Sequence, residues 1–175
     1  NVRKGQSLLL DMGQNMVGRP KFTIRASEGT KITLYVAEML NDSGDSTRGN
    51  DGPCGSIYIK NYRSALARVC YIASGSGEET YAPTFSFYGF RYLELTADGD
   101  FKLISLTGEV INSIPRETGF IETSNSQVNQ LISNVIWGMR GNYLSVPTDC
   151  PQRDERYGWS GDTQIFVGAG SYLAD

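Results

Sequence analysis

The chain has 175 residues, enough for one domain or one and a fraction, with 16 Lys and Arg against 19 Asp and Glu, a net charge of -3 and a pI near 5.0. No basic block marks a nucleic-acid face, no stretch at its start reads as a signal peptide, and apolar runs such as Ser7 to Leu10 fall far short of the ~20 residues of a membrane helix, so neither nucleic acid nor a membrane is an expected partner. The count of 0 histidines excludes Ser-His-Asp and Cys-His catalysis and most zinc sites, and it leaves acid-base chemistry to carboxylates.

From Gln6 to about Asn112 the sequence reads as short strands broken by Gly, Asn and Asp. Expected strands are Ser7 to Asp11, Lys21 to Ala26, Lys31 to Glu38, Ser56 to Tyr62, Ala67 to Ala73, Thr84 to Tyr88, Phe90 to Thr96 and Phe101 to Asn112. Several alternate as half-buried strands do: Ile32, Leu34 and Val36 against Thr33 and Tyr35, and Leu93 and Leu95 against Tyr92 and Glu94. About eight such strands favour an antiparallel β-sandwich over an open sheet. The loop from Asn41 to Gly55 invites a calcium site through Asp42, Asp45 and Asp51, but its spacing is not that of an EF-hand and no Glu closes it. It is read as a solvated hairpin loop. Cys54, Cys70 and Cys150 are too scattered for a metal knuckle and odd in number, and are read as free thiols.

After Gly119 the apolar period changes from two to 3.6, with Val128, Leu131, Ile132, Val135, Ile136 and Met139 on one face. This predicts a helix from Asn125 to about Tyr143, capped by Ser124, Asn125 or Ser126 and limited by Pro147. A second helix is expected from near Asp162, turning Ile165, Phe166, Ala169, Tyr172 and Leu173 inward. Two helices with one apolar stripe each do not close a core, so a helical domain is expected to continue beyond Asp175. The isolated chain is expected either to dimerise or to be disordered around Asp149 to Asp162.

Between the helices runs Asp149-Cys150-Pro151-Gln152-Arg153-Asp154-Glu155-Arg156-Tyr157-Gly158-Trp159-Ser160-Gly161-Asp162. Carboxylates that bond hydroxyls, an indole that covers a pyranose face and arginines that hold the carboxylates are the composition of a sugar site. The same residues also make an ordinary salt-bridged loop with Trp159 as core, and physical reasoning alone leaves both readings open. Glycoside hydrolysis needs one protonated carboxyl. Neighbouring carboxylates raise one another's pKa while arginines lower it, so composition does not choose between Asp154 and Glu155.

This string resembles the signature of glycoside hydrolase family 78, the α-L-rhamnosidases. The likeness extends to Asp11-Met12-Gly13-Gln14-Asn15 with Gly18, Ala37-Glu38, Tyr62-Arg63-Ser64-Ala65, and Pro83 through Tyr92. The resemblance implies a β-sandwich over residues 1–116 and, over 117–175, the first helices of an (α/α)6 catalytic domain. It places Glu155 at the general acid, with Asp149, Arg153, Trp159 and Asp162 lining the rhamnose subsite and Asp154 and Arg156 in support. It further implies an inverting mechanism whose base, a second glutamate, comes from later in the helical domain. A rhamnose-containing glycoside or polysaccharide is the implied substrate; no cofactor is assigned and no residue is assigned to a metal. A noncatalytic carbohydrate-binding or buttressing sandwich is the alternative.

Overall fold

A computed structural model describes residues 1–44 and 49–175. The chain opens with β1 (Ser7–Ala26), β2 (Lys31–Ala37), β3 (Met39–Leu40) and β4 (Ile57–Tyr58), then a 3-10 turn at Lys60–Tyr62. It continues through β5 (Arg68–Ile72), β6 (Glu78–Tyr81), β7 (Tyr88–Ala97) and β8 (Phe101–Val110). Helix α1 (Ser126–Asn142), the short pair β9 (Tyr143–Leu144) and β10 (Val146–Pro147), and α2 (Ser160–Gly170) follow.

All pairings are antiparallel, and β1 organises them. Its first half pairs with β7, which continues to β2 and β5; its second half is flanked by β8 and β6. The exchange of partners falls at Gly18, which faces both Tyr88 and Val110. A Cβ there would lie 2.1 Å from the Glu109 carbonyl oxygen, so only glycine lets the strands come this close. The two halves face each other, because Phe22 and Ile24 of β1 share one buried cluster with Ile32, Leu34 and Val36 of β2 and Leu93 and Leu95 of β7. Each such side chain contributes roughly 1.5–3 kcal/mol by leaving water.

The alternation expected in β2 and β7 is present, with Leu34, Val36, Leu93 and Leu95 all fully buried. Three strand expectations need correction. Ser7 to Asp11 and Lys21 to Ala26 are the ends of one strand, continuous through an irregularity between Asp11 and Met16. Ser56 to Tyr62 is a two-residue strand and a 3-10 turn. Thr84 to Tyr88 is a loop up to Tyr88: Pro83 lacks a donor for a ladder, and Phe85, apolar in the pattern, is 99% exposed. In its place Glu78–Tyr81 pairs with β1. In the loop before β4, Asp51 accepts from Asn41 Nδ2 and from the backbone N–H groups of Ile59 and Lys60, so its carboxylate organises a turn. Asp45, also weighed for calcium, lies outside the described residues.

Asn125 caps α1, its side-chain oxygen accepting from Gln127 N at 2.9 Å and Val128 N at 3.4 Å. The helix rests on β1 through its last turns, where Trp137 packs on the sandwich core and Gly141 meets Val17. Arg140 clamps Glu117 in the connecting segment, and this pair holds the Glu117 carboxyl below its ordinary range. Of the expected inward face of α1 only Met139 is buried, while Leu131 is 61% exposed. In the α2 region Leu173 is buried and Phe166 half-buried, but Ile165, Ala169 and Tyr172 face solvent, contrary to expectation. Their apolar stripe points away from the sandwich, the only other layer described, and finds nothing there to pack on.

Candidate active site

The acidic connection leaves β10 at Pro147 and ends where Trp159 caps α2 by accepting from Thr163 N and Oγ1. It is folded by local hydrogen bonds: Thr148 N to Asn142 O at 2.6 Å, Asp149 N to Tyr157 O at 3.2 Å and Arg153 N to Cys150 O at 3.3 Å. The sandwich holds its outer side. Asp154 accepts from both the backbone N–H and the hydroxyl of Ser64, and these bonds keep its carboxyl below the ordinary range. Arg156 lays its guanidinium over Phe87, 4.6 Å from the ring centroid. Gln152 packs so tightly on β7 that a Cβ on Gly89 would lie 2.5 Å from its Cβ.

Backbone strain gathers here. Among the described residues the non-glycine positions with positive φ are Arg63, Ala67, Ser145, Cys150, Glu155 and Arg156. Three lie in the acidic connection, one in the turn before it, and two bracket Ser64, its anchor on the sandwich. Such conformations cost about 1–3 kcal/mol each and persist where surrounding structure enforces them, commonly at functional sites.

A cleft of about 520 Å³ opens between α1 and α2, lined by Asp149, Cys150, Trp159 and Asp162 with Tyr143 and Phe166 as aromatic wall. Asp149 Oδ1 is buried there and has no hydrogen-bond partner among the described residues. A buried acceptor left unpaired costs about 1–3 kcal/mol, and this one, shielded as it is, meets a ligand's donor only where the Asp149 side chain turns toward the cleft. Glu155 stands at the edge rather than in the lining, with one carboxylate oxygen, the Cys150 Sγ and an Asp149 oxygen all within 4.8 Å of one another. Arg153 bridges this group, its Nη1 2.5 Å from Glu155 Oε2 and its Nη2 donating to Cys150 Sγ at 2.8 Å. Two of the three potential metal ligands, Glu155 and Cys150, are thus already served by a guanidinium. Burial, reinforced by Asp149, pushes the Cys150 thiol up, away from the thiolate that a metal would need.

Of the residues singled out in the sequence, the fold gathers Asp149, Trp159 and Asp162 on the cleft and sets Glu155 and Arg153 at its edge. Asp154 and Arg156 face the sandwich instead. Tyr143, Phe166 and Cys150 were not among the expected site residues, although Cys150 lies inside the acidic string.

A largely apolar and aromatic cleft between two helices that carries the carboxylates of Asp149 and Asp162, braced by an antiparallel sandwich, is an arrangement suited to holding a sugar ring. The bacterial α-L-rhamnosidase concanavalin-like domain matches residues 2–112, and the bacterial α-L-rhamnosidase 6 hairpin glycosidase domain matches residues 116–175. The chain is 45% identical over 168 residues to the α-L-rhamnosidase of Streptomyces avermitilis, covering 95% of this chain and 15% of that protein. The crystal structure of that enzyme, complexed with L-rhamnose, superposes with a TM-score of 0.84 at 42% identity over 98% of this chain and 16% of its own. The α-L-rhamnosidase structure from Dictyoglomus thermophilum gives a TM-score of 0.86 at 33% identity, covering 100% of this chain and 19% of its own. The chain belongs to the bacterial α-L-rhamnosidase family, glycoside hydrolase family 78, and carries its sandwich and the start of its helical domain. It spans less than a fifth of the length of these relatives. Nothing in these likenesses supports the expected homodimer.

Proposed function

We propose that this chain forms the part of an inverting α-L-rhamnosidase that supplies the general acid, Glu155, and one side of the rhamnose subsite. Its helical part begins at about residue 117. The observation that carries the reading is the buried, unpartnered Asp149 Oδ1 in a cleft shared with Trp159 and Asp162. Sugar hydroxyls are the donors that such an oxygen lacks, and an indole beside it suits the apolar face of a pyranose.

In the reaction, Asp149 and Asp162 accept from hydroxyls of a terminal α-L-rhamnosyl unit and Trp159 covers its ring. Glu155 turns from Arg153 toward the glycosidic oxygen, takes up a proton from solvent once free of the guanidinium, and gives that proton to the oxygen as its bond to the anomeric carbon breaks, releasing the aglycone as an alcohol. Arg153 receives the carboxylate that is left. A water attacks the opposite face and loses its proton to a second carboxylate, roughly 6.5–9.5 Å from the first, supplied by helices that follow in the longer relatives. Asp154 and Arg156 hold the loop to the sandwich, so the sandwich serves as a buttress. No cofactor enters the scheme.

Proton NMR of the sugar first released by the full-length protein from an aryl α-L-rhamnoside tests this. The β anomer of L-rhamnose is expected before mutarotation; initial release of the α anomer would rule out the inverting scheme.

A further inference from the structure

Glu38 follows directly after β2, half-buried, at the junction of sandwich, α1 and acidic loop. Its Oε1 accepts from Asn15 Nδ2 and its Oε2 from Asn61 Nδ2, both at 3.1 Å. A third amide, the side chain of Gln152, lines the same cavity as Glu38 and adds to the pull on its carboxyl. Every donor is neutral, and no salt bridge reaches Glu38 among the described residues. Burial pushes its carboxyl up, against the pull of the three amides. A partly desolvated carboxyl without a cation is costly where a neutral side chain would do, and such groups gather at functional sites. Gln152 lies three residues before Glu155 and sits close against Gly89, whose carbonyl is in turn held by the buried Tyr62 hydroxyl at 2.7 Å.

We propose that Glu38 is a positioning residue of the sandwich that, through Gln152, sets the register in which the loop presents Glu155 and Arg153 to the cleft. The proposal rests on the rhamnosidase reading and deepens it. Asn15 and Asn61 join the irregular middle of β1 and the 3-10 turn to the same carboxyl, so Glu38 collects three sandwich segments onto one point of the loop. Misplacing a reacting group by ~1 Å costs up to about 100-fold in rate.

The test uses the full-length protein with Glu38→Ala, Glu38→Gln, Gln152→Ala and Glu155→Gln, each assayed on an alkyl rhamnoside and on an aryl rhamnoside with an activated leaving group. Glu38→Ala and Gln152→Ala are expected to lower kcat roughly 10- to 100-fold on the alkyl substrate, much less on the activated one, and to leave KM within about twofold. Glu38→Gln, which retains an acceptor, should recover most of the loss, and Glu38→Ala combined with Gln152→Ala should be no worse than either alone. Equal losses on both substrates, or no loss in Gln152→Ala, would overturn the proposal. If Glu155→Gln discriminates between the substrates and Glu38→Ala does not, only the role of Glu38 fails; if Glu155→Gln does not discriminate, the acid assignment fails first.

Discussion

Asp154 reaches back 90 residues to Ser64, accepting from both its backbone amide and its hydroxyl. One carboxylate thereby joins the acidic loop to the sandwich at a place where the backbone is strained on both sides. Asp154→Ala and Ser64→Ala in the full-length protein are each expected to reduce kcat/KM, by up to about 100-fold where the loop shifts by ~1 Å. The double variant should lose little more than the worse single one, because both remove the same tie. Simple multiplication of the two losses would show that the residues act separately.

Gly89→Ala introduces a Cβ that would lie 2.5 Å from Gln152 Cβ and 3.2 Å from its Cα. The loop, not the paired strand β7, has to move. Activity should therefore fall while the sandwich keeps its far-ultraviolet circular dichroism and most of its melting temperature. A variant with wild-type kcat would mean that the loop tolerates displacement.

Two sandwich carboxylates set an acid limit on stability. Hydrogen bonds from Arg91, with that of Gly13 N, hold Asp11 at about 2 against an ordinary 3.8. The Ser74 amide, followed by Tyr71 and Gly75, holds Glu79 at about 2 against 4.5. Both values are depressed, so the stability they contribute is full above the ordinary values and is lost as pH falls toward 2. Urea midpoints measured from pH 6 to pH 2 should therefore fall more steeply for wild type than for Asp11→Asn or Glu79→Gln. Parallel curves would remove these groups from the acid response.

Much of this architecture is legible in the sequence where burial and periodicity coincide. Ile32, Leu34 and Val36 alternate because one face of β2 is core, and the period of 3.6 from Val128 to Met139 describes a real helix. Continuity of β1 was not legible, since Gly13 and Gly18 look like breaks while one sits at an irregularity and the other at an exchange of strand partners. Strand β6 escaped because its buried residue is Glu79, a polar group satisfied by Ser74, Gly75 and Tyr71. The α2 stripe of Ile165 and Tyr172 was legible as apolar, but a pattern records that a face seeks a partner, not which layer provides it. In the same way the acidic string was visible at once, whereas its anchors, Ser64, Phe87 and Glu38, lie far away in sequence and meet it only through the fold.

Residues 1–175 produced alone are expected to fold in the sandwich yet to show no rhamnosidase activity, since a single carboxyl donor without an opposing base does not complete an inverting displacement. Exposed Leu131, Ile165 and Tyr172 should make this fragment bind an apolar dye that the full-length protein does not. Turnover comparable to full length would place a base within these residues.

The most direct measurement compares Glu155→Gln with wild type in the full-length protein on two substrates that differ only in leaving group. A general acid contributes roughly 100- to 10,000-fold. The loss should be of that size on an alkyl rhamnoside and should shrink sharply on an activated aryl rhamnoside, whose aglycone departs without a proton. Near-native hydrolysis of the alkyl rhamnoside, or an equal loss on both, would contradict the assignment of Glu155 as the acid.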